Sequence, residues 1–142
     1  MRIVDILRRK GREVATVSGH ETVRTLVERL AELRVGALVV SEDSRRITGI
    51  ISERDVIRGL QQHGPGLLDL SVESIMTTEV FTCPPTASLE DLMRLMTERR
   101  IRHIPVVEDD VLSGIVSIGD VVKHRIDELQ HERDQLMGYI TG

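Results

Sequence analysis

Ile47-Thr48-Gly49-Ile50-Ile51-Ser52-Glu53-Arg54-Asp55 and Leu112-Ser113-Gly114-Ile115-Val116-Ser117-Ile118-Gly119-Asp120 are two copies of one pattern. Gly49 to Gly114 is a step of 65 residues, and so is Asp55 to Asp120. An internal repeat decides architecture before any local propensity does. One supersecondary unit has been duplicated, and the roles of Ser52 and Asp55 are expected to recur at Ser117 and Asp120.

Working outward, each copy carries the same order of elements. In the first half Ile3, Ile6 and Leu7 open an apolar-periodic stretch that Gly11 breaks, and Val14 to Val17 reads as a short strand. Val23, Leu26, Val27 and Leu30 recur at helical spacing. Val35 to Val40 reads as a buried strand, Ser41 to Arg46 as a polar turn and Ile47 to Ile51 as a second strand. Ser52 then opens a helix through Leu60. In the second half the matching segments are Val80 to Cys83, the helical set Leu89, Leu92, Met93 and Met96, the strand Ile101 to Val107, the turn Glu108 to Asp110 and the strand Val111 to Val116. The early elements are displaced by 66 residues (Val23 to Leu89, Val35 to Ile101) and the later ones by 65, so the indel falls in a polar turn. Gln61 to Gly66 links the copies.

These boundaries give residues 1–66 as the first repeat with its N-terminal helix and linker, 67–126 as the second, and 127–142 as a helical extension. Val122, Ile126, Leu129, Leu136 and Ile140 share one face of that last helix, interrupted by Arg133. Such a surplus helix suits packing or oligomerisation. A single β-α-β-β-α unit cannot cover both faces of its sheet. The expected fold is therefore α/β (α+β), with two tandem units packed sheet to sheet about a pseudo-two-fold axis.

Composition narrows the function. The chain has 142 residues, a net charge of −4, no Trp, one Phe, one Tyr and one Cys. Few rings leave little for stacking single-stranded bases, and an acidic balance disfavours a binder of phosphate backbones that works by charge alone. Lys10 and Lys123 are the only lysines among 19 cationic residues; arginine suits phosphates, and coding bias gives the same count. Cys83 has no cysteine partner, the five histidines lack metal-ligand spacing, and no phosphate-loop or catalytic constellation is found. The expectation is a soluble, cytoplasmic, non-enzymatic protein with no membrane or nucleic-acid partner.

Ser52-Glu53-Arg54-Asp55 and Ser117-Ile118-Gly119-Asp120 each place S-x-x-D at a strand-to-helix junction. One reading is a helix cap, in which Ser accepts from first-turn N–H groups and Asp offsets the positive helix end. The other uses the same geometry for a ligand: the helix end and Ser hydroxyl receive a phosphate, and the carboxylate accepts ribose hydroxyls. Ser88-Leu89-Glu90-Asp91 has the same spacing and is assigned to capping.

The duplicated unit ending Gly-hydrophobic-hydrophobic-Ser-x-x-Asp resembles the cystathionine-β-synthase (CBS) domain, which occurs in pairs called Bateman modules. Ile101-Arg102-His103-Ile104-Pro105-Val106-Val107, followed by Gly114 to Val121, is similar to the nucleotide-binding repeats of the AMP-activated protein kinase gamma subunit. The resemblance covers roughly residues 1–126. It implies two clefts between paired repeats, adenosine ligands (AMP, ADP, ATP, NAD(H) or S-adenosylmethionine) and a homodimer that regulates a further protein.

On that resemblance Ser52, Asp55, Ser117 and Asp120 are the phosphate and ribose contacts. Arg102 and His103 become phosphate contacts, the plainer reading being an edge-strand pair facing solvent. The matching Gly36 and Ala37 are uncharged, so the clefts are expected to be unequal, with Arg54 joining the basic one. Thr16, Val17, Val35, Gly36, Ala37, Thr78, Val80, Thr82 and Ile101 form the candidate adenine wall or plain core. Ile50 and Ile115 flank the two motifs. Val39 stands where the other repeat has Pro105, a departure from the family pattern. The alternative function is a ligand-free dimerisation scaffold.

Overall fold

A computed structural model describes residues 2–141. Its helices are α1 (Ile3–Lys10), α2 (Val23–Leu33), α3 (Glu53–His63), α4 (Leu89–Arg99) and α5 (Ile118–Thr141). The strands are β1 (Thr16–Val17), β2 (Ala37–Val40), β3 (Gly49–Ser52), β4 (His103–Glu108) and β5 (Val111–Ser117), and two short 3-10 turns fill Gly64–Asp69 and Val72–Ser74. In the first sheet β1 lies parallel to β2 and β2 antiparallel to β3. The second sheet is the antiparallel pair β4–β5. This is the mixed α/β duplication that the repeat predicts.

The strand expected over Val80 to Cys83 is reduced to a single rung, Cys83 beside Val106. Cys83 N–H donates to the Pro105 carbonyl at 3.1 Å and Val107 N–H to the Cys83 carbonyl at 2.9 Å. Pro105 stands at the place of Val39 and has no N–H to give toward the preceding residues, so the ladder stops there. On the other side Pro84 and Pro85 cannot extend it.

Local chemistry sets the helix ends alike in both repeats. Thr22 caps α2 by accepting from Thr25 N–H at 3.2 Å, and Ser88 caps α4 by accepting from Asp91 N–H at 3.1 Å. Both helices end on an arginine in the left-handed region, Arg34 at φ 54° and Arg100 at φ 53°.

Each repeat's core is completed by the segment that leads into the other repeat. Ile3, Ile6 and Leu7 of α1 are buried with Leu89, Leu92, Met96, Ile104, Val106, Val116 and Val121. Reciprocally, Val72, Ile75 and Met76 pack on Val17, Leu26, Leu30, Leu38, Val40 and Ile51. Two glycines let these arms cross. A Cβ on Gly114 would stand 2.6 Å from Leu7 Cδ2, and one on Gly49 would stand 2.7 Å from Met76 Sδ. The repeated glycine of the signature is thus a crossing point for an apolar arm.

Candidate functional site

The two S-x-x-D motifs form closed capping boxes. Asp55 Oδ2 accepts from Ser52 N–H at 2.9 Å and from Ser52 Oγ at 3.1 Å, and its Oδ1 accepts from Thr77 Oγ1 at 3.0 Å. Asp120 Oδ2 accepts from Ser117 N–H at 2.9 Å, from Ser117 Oγ at 3.0 Å and from Lys10 Nζ at 2.6 Å. Among the described residues Asp120 Oδ1 has no hydrogen-bond partner, whereas both Asp55 oxygens are taken. Asp55 is also the more enclosed, at 8% exposure. Capping and ligand acceptance are therefore compatible at Asp120 and compete at Asp55.

Both motifs open on one cleft of about 850 Å³ between the repeats. Its lining includes Val35, Gly36, Ala37, Ile50, Ser52, Arg54 and Asp55 from the first repeat. Val80, Ile101, Arg102, His103, Ile115 and Ser117 come from the second. Symmetry shows in the backbone: Glu53 N–H donates to the Gly36 carbonyl at 3.0 Å and Ile118 N–H to the Arg102 carbonyl at 2.8 Å. Gly36 faces His103 across the divide, where an added Cβ would stand 3.3 Å from the ring's Cε1.

Thr16, Thr78 and Thr82 are not brought to the cleft. Thr16 shares a hydrogen bond with Ser44 at 3.1 Å. Thr78 and Thr82 are exposed on the irregular segment before Cys83. Asp120 lies behind Lys10 and Ser117 rather than on the cleft surface. Sequence reading missed Lys10, Arg34, Glu53, Arg58, Thr77, Arg99 and Arg100, all of which line the cleft. Arg58 sits one helical turn beyond Arg54, and Arg34 and Arg100 directly precede Val35 and Ile101, so a local signal existed for these three. Thr77 and Lys10 arrive on the crossing arms and carried none.

Charge is concentrated here. Lys10, Arg34, Arg54, Arg58, Arg99, Arg100 and Arg102 line the cleft against Glu53, Asp55 and Glu79. A chain of net charge −4 thus surrounds its central cavity with cations. Arg54 reaches the other repeat, donating to the Arg100 carbonyl at 3.5 Å. Arg99 lies over the Phe81 ring, 5.0 Å from its centre.

Arg34 and Arg100 occupy a backbone conformation that costs a non-glycine residue about 1 kcal/mol. Both residues line the cleft, which gives an arginine in this conformation a chemical use. Arg100→Gly is expected to raise the melting temperature by a few degrees while weakening binding of a polyphosphate. Thermal unfolding with and without ATP checks both halves of that expectation.

Burial pushes the Asp120 carboxyl up, but the Lys10 ammonium and the Ser117 hydrogen bonds outweigh it and hold the group below the usual carboxylate range. Burial lowers His103, reinforced by Lys10 and Arg102 and opposed by Glu53 and Asp120. The signs agree. As pH falls below about 6.5, the unfolded chain protonates its histidine before the folded one does, so stability drops. The Asp120 contribution is full above about 3.9 and is lost as pH falls through its lower folded value. His103→Gln is expected to flatten the fall in melting temperature between pH 7 and pH 5; an unchanged slope contradicts this assignment.

Cys83 is buried and its thiol is pushed up to about 11, which keeps it protonated near neutrality. Among the described residues no three His, Cys, Asp or Glu side chains converge as metal ligands. Among them also, no helix is long and apolar enough to cross a membrane.

Two repeats with the same order of elements, exchanging apolar arms and opening two capped helix ends on a shared cleft, define a tandem-repeat module. The CBS domain profile matches residues 3–62 and 72–127. The chain belongs to the CBS domain family, as a paired module. It is 36% identical over 148 residues to the CBS domain-containing protein CBSX3, mitochondrial, of Arabidopsis thaliana, covering 99% of this chain and 72% of that one. The crystal structure of the CBS-domain containing protein ATU1752 from Agrobacterium tumefaciens matches with a TM-score of 0.85 at 38% identity, over 88% of this chain and 99% of that chain. The CBS domain pair of protein MJ0100, in complex with 5′-methylthioadenosine and S-adenosyl-L-methionine, matches with a TM-score of 0.79 at 22% identity, over 90% of this chain and 98% of that chain.

Proposed function

We propose that this CBS pair binds a phosphorylated adenosine compound (AMP, ATP or NAD(H)) in the cleft and passes its occupancy to a partner protein. The observation that carries this reading is the ring of arginines around a cavity into which two helix N-termini open. Helix ends and guanidinium groups both favour phosphate oxygens. A volume of about 850 Å³ falls within the range of small-molecule sites. Val35, Ala37, Val80 and Ile101 supply an apolar wall for a base, and a ribose hydroxyl that moves Lys10 aside would find Asp120 Oδ1 without another partner among the described residues. An adenosine ligand also occupies the MJ0100 pair, but that ligand set includes a sulfonium. The cationic cleft here favours phosphates over a second positive charge.

The chain acts as a binding module rather than an enzyme, and as a homodimer. Ile57 and Leu60 of α3 and Val122, Ile126 and Leu129 of α5 are exposed apolar residues on the helices that follow the two motifs. A dimer formed through those helices would sense any shift of the capped ends that a phosphate produces. The rival scaffold reading uses the same exposed helices without a ligand.

Saturation at 100 times Kd stabilises a protein by about 2.7 kcal/mol, on the order of 8 °C for a chain of this size. Thermal unfolding in ATP, AMP, NAD and S-adenosylmethionine tests the reading. Stabilisation by the phosphorylated compounds, with S-adenosylmethionine weaker, supports it. No shift with any of them at millimolar concentration supports the scaffold.

A further inference from the structure

The two repeats close equivalent acceptors by different means. Ile50 and Asp55 correspond to Ile115 and Asp120 at the step of 65 residues. In the first repeat the Ile50 carbonyl accepts from Thr77 N–H at 2.9 Å, Ile50 N–H donates back to the Thr77 carbonyl at 2.9 Å, and Thr77 Oγ1 covers Asp55. In the second repeat one ammonium covers both acceptors: Lys10 Nζ donates to the Ile115 carbonyl at 2.9 Å and to Asp120 Oδ2 at 2.6 Å. Thr77 is fixed by two backbone hydrogen bonds. Lys10 is held at the tip of a flexible four-carbon stem, at the end of α1, with its side chain 35% exposed. The Thr77 hydroxyl can turn about one bond, but its pinned backbone keeps the side chain against Asp55, whereas a change of rotamer carries the Lys10 ammonium clear of Asp120 altogether.

We propose that Lys10 is a removable stopper that makes the Asp120 half of the cleft selective for phosphorylated ligands. This rests on the nucleotide reading above and names the residue that enforces it. A ribose diol that takes Asp120 displaces the ammonium. A phosphate on the same ligand gives that ammonium a new anion, because Lys10 itself lines the cleft. A nucleoside gives it none, and so bears the loss of the Lys10–Asp120 pair uncompensated. Both Asp55 oxygens stay hydrogen-bonded to Ser52 and Thr77, so the Asp120 half is the one that fills and each chain takes one ligand.

The test is calorimetric titration of the full chain with ATP and with adenosine, for the wild type and for Lys10→Met, which keeps the stem and removes the charge. The wild type is expected to bind one ATP per chain and adenosine at least about tenfold more weakly. In Lys10→Met, adenosine should bind more tightly and ATP more weakly, so that the ratio of the two affinities falls by about tenfold, corresponding to ~1.4 kcal/mol. Lys10→Gln should show the same crossing of signs. A parallel change for both ligands, or no change in either, overturns the stopper, as does a stoichiometry of two equal ATP sites. Absence of ATP and adenosine binding in the wild type overturns the nucleotide reading and the stopper together.

Discussion

Asp120→Ala is expected to weaken ATP binding by about two orders of magnitude while leaving the fold close to wild type. A ribose diol that donates to this carboxylate makes charge-assisted hydrogen bonds worth about 1.5–3 kcal/mol each, and a factor of ten corresponds to about 1.4 kcal/mol. The capping box of α5 opens in this variant too, but the stability cost is smaller than at Asp55, because the Lys10–Asp120 pair is partly exposed, with side-chain exposures of 35% and 24%. Asp55→Ala should behave in the opposite way. Asp55 is buried, caps α3 and is the acceptor for Thr77 Oγ1. Its loss opens the capping box of α3 and leaves the Thr77 hydroxyl without that buried acceptor, which costs about 1–3 kcal/mol. Titration calorimetry and urea unfolding on the two variants separate the roles. Equal losses of affinity at Asp55 and Asp120 would count against an unequal cleft.

The second large effect concerns stability. Gly49→Ala should destabilise the chain by about 2–3 kcal/mol, because the new Cβ would stand 2.7 Å from Met76 Sδ and 2.9 Å from the Thr77 carbonyl oxygen. A thioether can move aside, but the Thr77 carbonyl is pinned to Ile50 in the bridge that shields Asp55. Gly114→Ala meets the Leu7 side chain, at 2.6 Å from Cδ2 and 3.1 Å from Cδ1. Leu7 has room to adjust only within a packed core, so a smaller cost of about 1–2 kcal/mol is expected. Urea unfolding measures both. Wild-type stability of Gly49→Ala would contradict the crossing of the Val72–Met76 arm over β3.

The 65-residue step was enough to read the duplication and the helix starting at each S-x-x-D, because these depend on local pattern and internal repetition, and the family came from the resemblance of the repeated unit to the CBS domain. Ser52, Asp55, Arg102 and His103 could be named as cleft residues on that resemblance, and all four line the cleft. The short strand that the pattern puts over Val80 to Cys83 shrinks to one rung at Cys83, since its pairing depends on a proline in a different strand, Pro105. Arg34 and Arg100 gave no sign of their left-handed backbone, which sequence reading expects at glycine or asparagine. Lys10 was invisible for a different reason. It meets Asp120 across 110 positions of sequence, and only the exchange of arms between the repeats brings the two together. Thr16, Thr78 and Thr82 were drawn from the general strand position of the family; the structure puts Thr77, carried by the bridge to Ile50, at the cleft instead.

Nucleotide binding at Asp120 is tested by a calorimetric titration of the full chain with ATP at near-neutral pH. One site per chain, with binding reduced about a hundredfold by Asp120→Ala and retained in an Asp55→Ala variant that still folds, is the predicted result. No heat of binding and no thermal stabilisation at millimolar ATP, AMP and NAD would contradict it and leave the pair as a dimerisation scaffold.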